Sequence, residues 1–129
     1  MIIDHKEPIE ERTSYNFFFS TADRDGINPV LIDTVKVYIF VEASGDPPVW
    51  VNGRDGSANS GLTFTEQADD SWDIALHMLP ADNQIMNKTL YAKSGYETHI
   101  VRFEVKYNEY IDKYIHEIRV RVRELPAVP

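Results

Sequence analysis

Cysteine is absent from all 129 residues. That excludes a disulfide scaffold, a thiol nucleophile and a cysteine-ligated zinc. Long apolar runs are missing too. None approaches the roughly 20 residues that cross a bilayer, so no membrane span is expected. The opening Met1-Ile2-Ile3-Asp4-His5-Lys6-Glu7 has no basic stretch followed by an apolar core, so no secretory signal is expected. Basic side chains are in the minority, 13 Lys and Arg against 21 Asp and Glu, for a net charge of −8. Phosphate contacts are made mainly by Lys and Arg, so nucleic acid is not an expected partner.

What is present is a globular composition, with 43% apolar, 12% aromatic and 26% charged residues. The length suits one domain and is too short for two full cores. Charge is unevenly spread. Residues 1–87 hold 15 acidic and 5 basic side chains (−10), and residues 88–129 hold 6 and 8 (+2). A chain so polarised can pair with copies of itself or set a basic face on an acidic neighbour. Two solvated faces of different sign account for it equally.

The dominant pattern has period two, the signature of strands. Val35, Val37, Ile39 and Val41 fall on one face, opposed by Lys36, Tyr38, Phe40 and Glu42. Trp72, Ile74, Leu76 and Met78 repeat the pattern, as do His99, Val101, Phe103, Val105 and Tyr107. The last stripe sets Ile118, Val120 and Val122 against Arg119, Arg121 and Arg123. Tyr15, Phe17 and Phe19 share a face near the start, and Val49–Val51 and Leu62–Thr65 form weaker strands.

Turn residues separate these runs. Asp23-Arg24-Asp25-Gly26 supplies an Asx-type turn, and Pro47-Pro48 stops a strand because proline cannot donate to a ladder. Asn52 to Gly61 holds three glycines and reads as a loop. Pro80 to Lys93 fits either one helical turn or an irregular crossover. Residues 108–116 fit helical spacing through Tyr110, Ile111, Tyr114 and Ile115, and equally a hairpin tip, which the β-branched residues after it favour. Residues 1–12, charged and containing Pro8, read as an N-terminal arm, and 125–129, apolar and proline-rich, as a C-terminal arm. Between them residues 13–124 form the domain. The expected fold is all-β, a single antiparallel sandwich of about seven to eight strands.

Chemistry-bearing motifs are weak. The Asn52–Gly61 loop lacks the Gly-Lys-Ser/Thr ending of a phosphate loop and no helix follows it. Asp23 to Asn28 resembles a calcium loop faintly, but its glycine comes too early and no closing glutamate is in place. His5, His77, His99 and His116 show no metal-ligand spacing, though His77 and His99 can meet across strands. The serines form no nucleophile elbow. Neither catalytic residues, a metal, a cofactor nor a small-molecule substrate is expected. Asn87-Lys88-Thr89 matches a glycosylation sequon without a leader to make it meaningful.

Candidate interface residues stand out more clearly. Trp50, Tyr110 and Tyr114 belong to an excess of amphipathic aromatics of the kind that serve interfaces. Arg119, Arg121 and Arg123 project from one strand face at intervals of about 6.8 Å, twice the strand rise. Such a stripe either finds carboxylates on a neighbouring strand, Glu104 or Glu97, or meets an acidic surface of another subunit through bidentate pairs.

One resemblance covers residues 13 to 124. An aromatic strand runs into Ser20-Thr21-Ala22-Asp23-Arg24-Asp25-Gly26-Ile27-Asn28-Pro29-Val30 and then the Val35–Val41 strand. Gly61-Leu62-Thr63-Phe64, the Trp72-Asp73-Ile74-Ala75-Leu76 strand and a final pair of long strands follow. This order resembles the small immunoglobulin-like sandwiches among the structural proteins of tailed bacteriophages. The resemblance implies a non-enzymatic virion protein, a capsid cement or decoration subunit or a neck or tail accessory. Its partners would be other virion subunits and copies of itself, and its location the virion, after synthesis in the host cytoplasm. A different class, a carbohydrate- or receptor-binding module stacking ligands on Trp50, fits the aromatics as well.

Overall fold

The computed structural model describes residues 2–20, 32–66, 72–89, 95–107 and 113–123. Nine strands build two sheets: β1 (Ile2–Asp4), β2 (Ile9–Glu10), β3 (Tyr15–Ser20), β4 (Ile32–Val41), β5 (Trp50–Asp55), β6 (Leu62–Glu66), β7 (Trp72–Met78), β8 (Glu97–Tyr107) and β9 (Lys113–Arg123). The larger sheet runs β1-β9-β8-β4-β5, with β2 also on β9, and the smaller runs β3-β7-β6. In immunoglobulin notation β3 to β9 are strands B, C, C′, D, E, F and G, giving the G-F-C-C′ and B-E-D sheets of that fold. The chain is an immunoglobulin-like sandwich, and β1 with β2 makes one interrupted edge strand.

Period two explains the core. Val35, Val37, Ile39 and Val41 of β4 are buried, facing Ile74, Leu76 and Met78 of β7 across the sandwich. Val101, Phe103 and Val105 of β8 and Ile118, Val120 and Val122 of β9 complete the larger sheet's inner face. Phe103 and Ile39 are fully buried. Registers between β4, β8 and β9 place these residues directly opposite one another: Val37 with Phe103 and His116, Ile39 with Val101 and Ile118. A one-residue slip would turn every stripe to solvent, so burial fixes the register.

Two local expectations meet a different arrangement, one reading left open is resolved, and the favoured hairpin is found. Residues 2–4 and 9–10, expected within an arm, pair in parallel with Glu117–Arg119 and Val122–Arg123. They join the sheet because β9 otherwise presents an unpaired edge and because Ile9, at 4% exposure, completes the core. The sandwich is therefore not purely antiparallel. Second, the Asn52–Gly61 loop begins later, since β5 continues to Asp55. Third, the Pro80 segment holds a 3-10 turn over Pro80–Asn83. Fourth, β8 and β9 pair antiparallel up to Lys106 with Lys113, which makes their connection a hairpin. Its tip at 108–112, the Asp23–Asn28 turn and the arm at 125–129 lie outside the described residues.

Candidate functional site

Three polar or aromatic clusters rise above the plain sandwich. The first is buried. Along β4 and β5, Phe40 faces Trp50 but Tyr38 faces Asp55, so β5 carries extra residues in a bulge. Asn52 (φ 53°) and Gly53 (φ 65°) take left-handed backbone there. The kink turns Arg54 inward to 1% exposure. Its guanidinium meets Asp82 in a two-pronged pair, Nε to Oδ1 at 2.8 Å and Nη2 to Oδ2 at 2.9 Å. Nη1 donates to the carbonyls of Ala58 and Ser60, both at 2.8 Å, so the following loop is folded around the arginine. Asn52 Nδ2 and the Leu79 N–H also donate to Asp82. The ladder gap at the bulge is filled by Asn59, whose Oδ1 accepts from the Val37 N–H at 2.9 Å.

Burial pushes the Asp82 carboxyl up, but hydrogen bonds from Arg54, Asn52 and Leu79 and the Arg54 charge outweigh it. The group ends below the ordinary carboxylate range. Its charge is thus fully committed to the fold. This cluster is a brace, with the Arg54–Asp82 pair itself shut away from solvent.

The second cluster joins the crossover to β8. Glu97 is 3% exposed, and its carboxylate accepts from the backbone N–H groups of Met86 and Asn87, each at 2.6 Å. It also lies 2.6 Å from His99 Nε2. Burial raises the Glu97 carboxyl, while the His99 contact and the two backbone donors lower it further, leaving a net depression. Sequence periodicity placed His99 on the inner stripe, and it is 1% exposed there. His77 does not meet it: His77 is exposed on β7 of the other sheet, 2.6 Å from Asn16 Oδ1. His5 packs on Tyr15 and Phe17, and His116 on Phe103, so the four histidines occupy separate places.

A group with a depressed folded pKa contributes stability above its unfolded value and loses it as pH falls through the folded one. Glu97 and Asp82 both contribute in this sense. Stability is therefore expected to hold above the ordinary carboxylate range and to decline below it. Glu97→Gln should cost about 1–3 kcal/mol at neutral pH, the worth of hydrogen bonds to a buried charge. It should also flatten the acid limb of a urea-denaturation series. An unchanged limb would show that Glu97 is no anchor.

The third cluster lies on the outer face of the larger sheet and faces solvent. Trp50 sits between Tyr38 and Phe40, with ring centroids 6.1 and 5.9 Å away. The Arg102 guanidinium lies 5.0 Å over the Phe40 ring and donates to Glu117 at 2.8 Å. Phe40 and Arg119 flank Ile100, which is 3% exposed although it is on this outer face. The Tyr38 ring is seated on Gly56, where an added Cβ would lie 2.5 Å from it. Aromatic rings and arginine stems thus cover the centre of the sheet, with no second layer above them among the described residues.

Next to this face runs the arginine stripe. Arg119 donates to Glu42 at 2.6 Å and to Asp4 at 2.8 Å, reaching both sides of β8 and β9. Arg121 donates to the Lys6 carbonyl and lies over the Tyr96 ring, and Arg123 pairs with Glu10. The carboxylates that meet the stripe are therefore Asp4, Glu10 and Glu42. Glu97, one of the two acids offered by sequence beside Glu104, is turned inward. An open cleft of about 370 Å³ lies along the stripe, lined by Asp4, His5, Lys6, Arg119 and Arg121.

No protein-family model and no curated protein matches this sequence. Two solved structures are similar in outline. The titin M3 domain aligns with a TM-score of 0.38 and 14% identity, over 95% of this chain and 88% of that one. An endo-fucoidan hydrolase of glycoside hydrolase family 107 aligns with a TM-score of 0.33 and 12% identity, over 97% of this chain. This chain spans 13% of that hydrolase's length.

Of the candidate residues, Trp50 and the three arginines are thus on one sheet, with β4 and β8 between them. Tyr110 lies outside the described residues, and of Tyr114 only the backbone, opposite Val105 in β8, is described. Arg54 and Asp82 were not singled out by sequence, and Glu97 was singled out only as a partner for the arginine stripe. The Asn52-Gly53 pair inside an otherwise strand-like run was the available signal for the bulge that buries Arg54. No group of three or more metal-ligating side chains comes together among the described residues.

Proposed function

We propose that this chain is a non-enzymatic structural subunit that docks on other proteins through the outer face of its larger sheet. The carrying observation is the Trp50–Tyr38–Phe40 cluster under Arg102, half-buried and bordered by paired charges. Aromatics and arginine are the residue types enriched where protein surfaces meet, and a rim of charge sets register. The virion of a tailed phage, with this domain as a cement, decoration, neck or tail accessory subunit, is the setting that the strand and turn order suggests. The same Trp50 platform supports a carbohydrate-binding reading, since sugars stack on exposed indole.

One comparison separates the two. The purified chain is incubated with assembled particles and, in parallel, with a glycan array. Particle binding that Trp50→Ala weakens by about tenfold or more, the loss expected of an interface hot spot, supports the proposal, provided the variant melts like the parent. Glycan binding without particle binding overturns it in favour of the carbohydrate module.

A further inference from the structure

The smaller sheet ends on β3, and that edge differs from the other three. In an immunoglobulin sandwich with the A-B-E-D order, strand A covers the B edge. Here the chain before β3 goes to the opposite sheet, as β1 and β2 on β9. Among the described residues, β3 pairs with β7 alone.

Protein edges are normally blunted by charge, proline or bulges. The N-terminal edge carries Lys6, Glu7 and Pro8. The β5 edge is bent by the Asn52–Gly53 bulge, and the β6 edge ends in Glu66. By contrast β3 is Tyr-Asn-Phe-Phe-Phe-Ser, with no charge, no proline and unbroken register against β7 over six residues. Phe18, in its middle, points away from the core and is 65% exposed, more than any other large apolar side chain described.

We propose that two copies of the chain pair antiparallel through β3, about a two-fold axis at Phe18, to double the three-stranded sheet. The geometry selects this occupant. An axis normal to the sheet keeps inner residues inner, and it sets position 18 opposite itself, 17 opposite 19 and 16 opposite 20. The two Phe18 rings then meet on the outer face, where each covers the other. Because β3 is uncharged, no like charges oppose along the new ladder, even though each chain carries −8 overall. The pairing uses the smaller sheet and leaves the Trp50 face free.

The absence of cysteine supplies a direct test. Directly opposed antiparallel residues have Cα atoms about 4.5–5.5 Å apart, within disulfide range. Phe18→Cys is therefore expected to form a covalent dimer under diamide, while Thr63→Cys, exposed on β6, is expected to form no covalent dimer. By sedimentation the parent chain should dimerise. Phe18→Lys should weaken that self-association by roughly thirtyfold or more, as loss of a buried aromatic anchor does. Its melting temperature as a monomer should be unchanged, because Phe18 contributes little to the core. Trp50→Ala should dimerise like the parent, which keeps this proposal separate from the docking face. A parent chain that stays monomeric at high concentration overturns the proposal. So does a dimer that Phe18→Lys leaves intact, or one that Phe18→Cys fails to trap.

Discussion

Asp82→Ala is expected to cost about 3–5 kcal/mol of folding stability, the range for removing one partner of a buried ion pair. The reason is what stays behind. Arg54 would remain at the bottom of a closed site with Nε and Nη2 unpaired, because its stem is fixed by the β5 bulge and Nη1 is held by Ala58 and Ser60. Asn52 and the Leu79 N–H would lose their acceptor as well. Adding Arg54→Met should recover part of the loss, since no buried charge is then left alone. That recovery separates an electrostatic defect from a plain cavity. A urea titration of the parent, both single variants and the double variant supplies the cycle. A cost for Asp82→Ala below about 1 kcal/mol, the scale of an exposed pair, would sink the account.

This brace also marks how far the sequence could be read. The stripes of β4, β7, β8 and β9 were legible because each repeats every second residue and each faces one shared core. Nothing in those stripes names Arg54. It follows an Asn-Gly pair in a glycine-rich stretch that composition alone reads as a loop, and its partner is 28 residues away. Glu97 was read as a partner for the outward arginines, although it stands two residues before His99 and so shares the inner face. An acid at an inner position makes sense only once the Met86 and Asn87 N–H groups are seen to need an acceptor. Trp50 was legible as an outward aromatic, but its half-burial and its clustering with Phe40 and Arg102 depend on the β4–β5 and β4–β8 registers. The arginine stripe was legible as a stripe. Its partners were not, because Asp4 and Glu10 approach from more than a hundred residues away in sequence.

Deleting residues 1–12 tests that long-range pairing most severely. Charge and Pro8 gave this segment the look of an arm, for which deletion would leave the melting temperature almost unchanged. Its contacts lead to the opposite result. Ile9 is in the core, and burying such a side chain contributes about 1.5–3 kcal/mol. Backbone bonds tie His5 to Arg119, Glu11 to Arg123 and Arg12 to Asn83. The His5 ring covers Tyr15 and Phe17, with centroids 5.0 and 5.6 Å away. Asp4 and Glu10 leave Arg119 and Arg123 when they go. The expected net loss is on the order of 3 kcal/mol, set chiefly by Ile9 and the lost ladder bonds. A second consequence follows from topology. With β1 and β2 gone, β9 becomes an eleven-residue open edge, and the truncated chain should aggregate on warming where the parent does not. Ile9→Ala in the full chain isolates the packing share: it should lose about 2 kcal/mol, the lower end for such a truncation, without the aggregation, because the edge stays covered. Equal melting temperatures for the parent and the truncated chain would mean that β9 holds its register without its parallel neighbours.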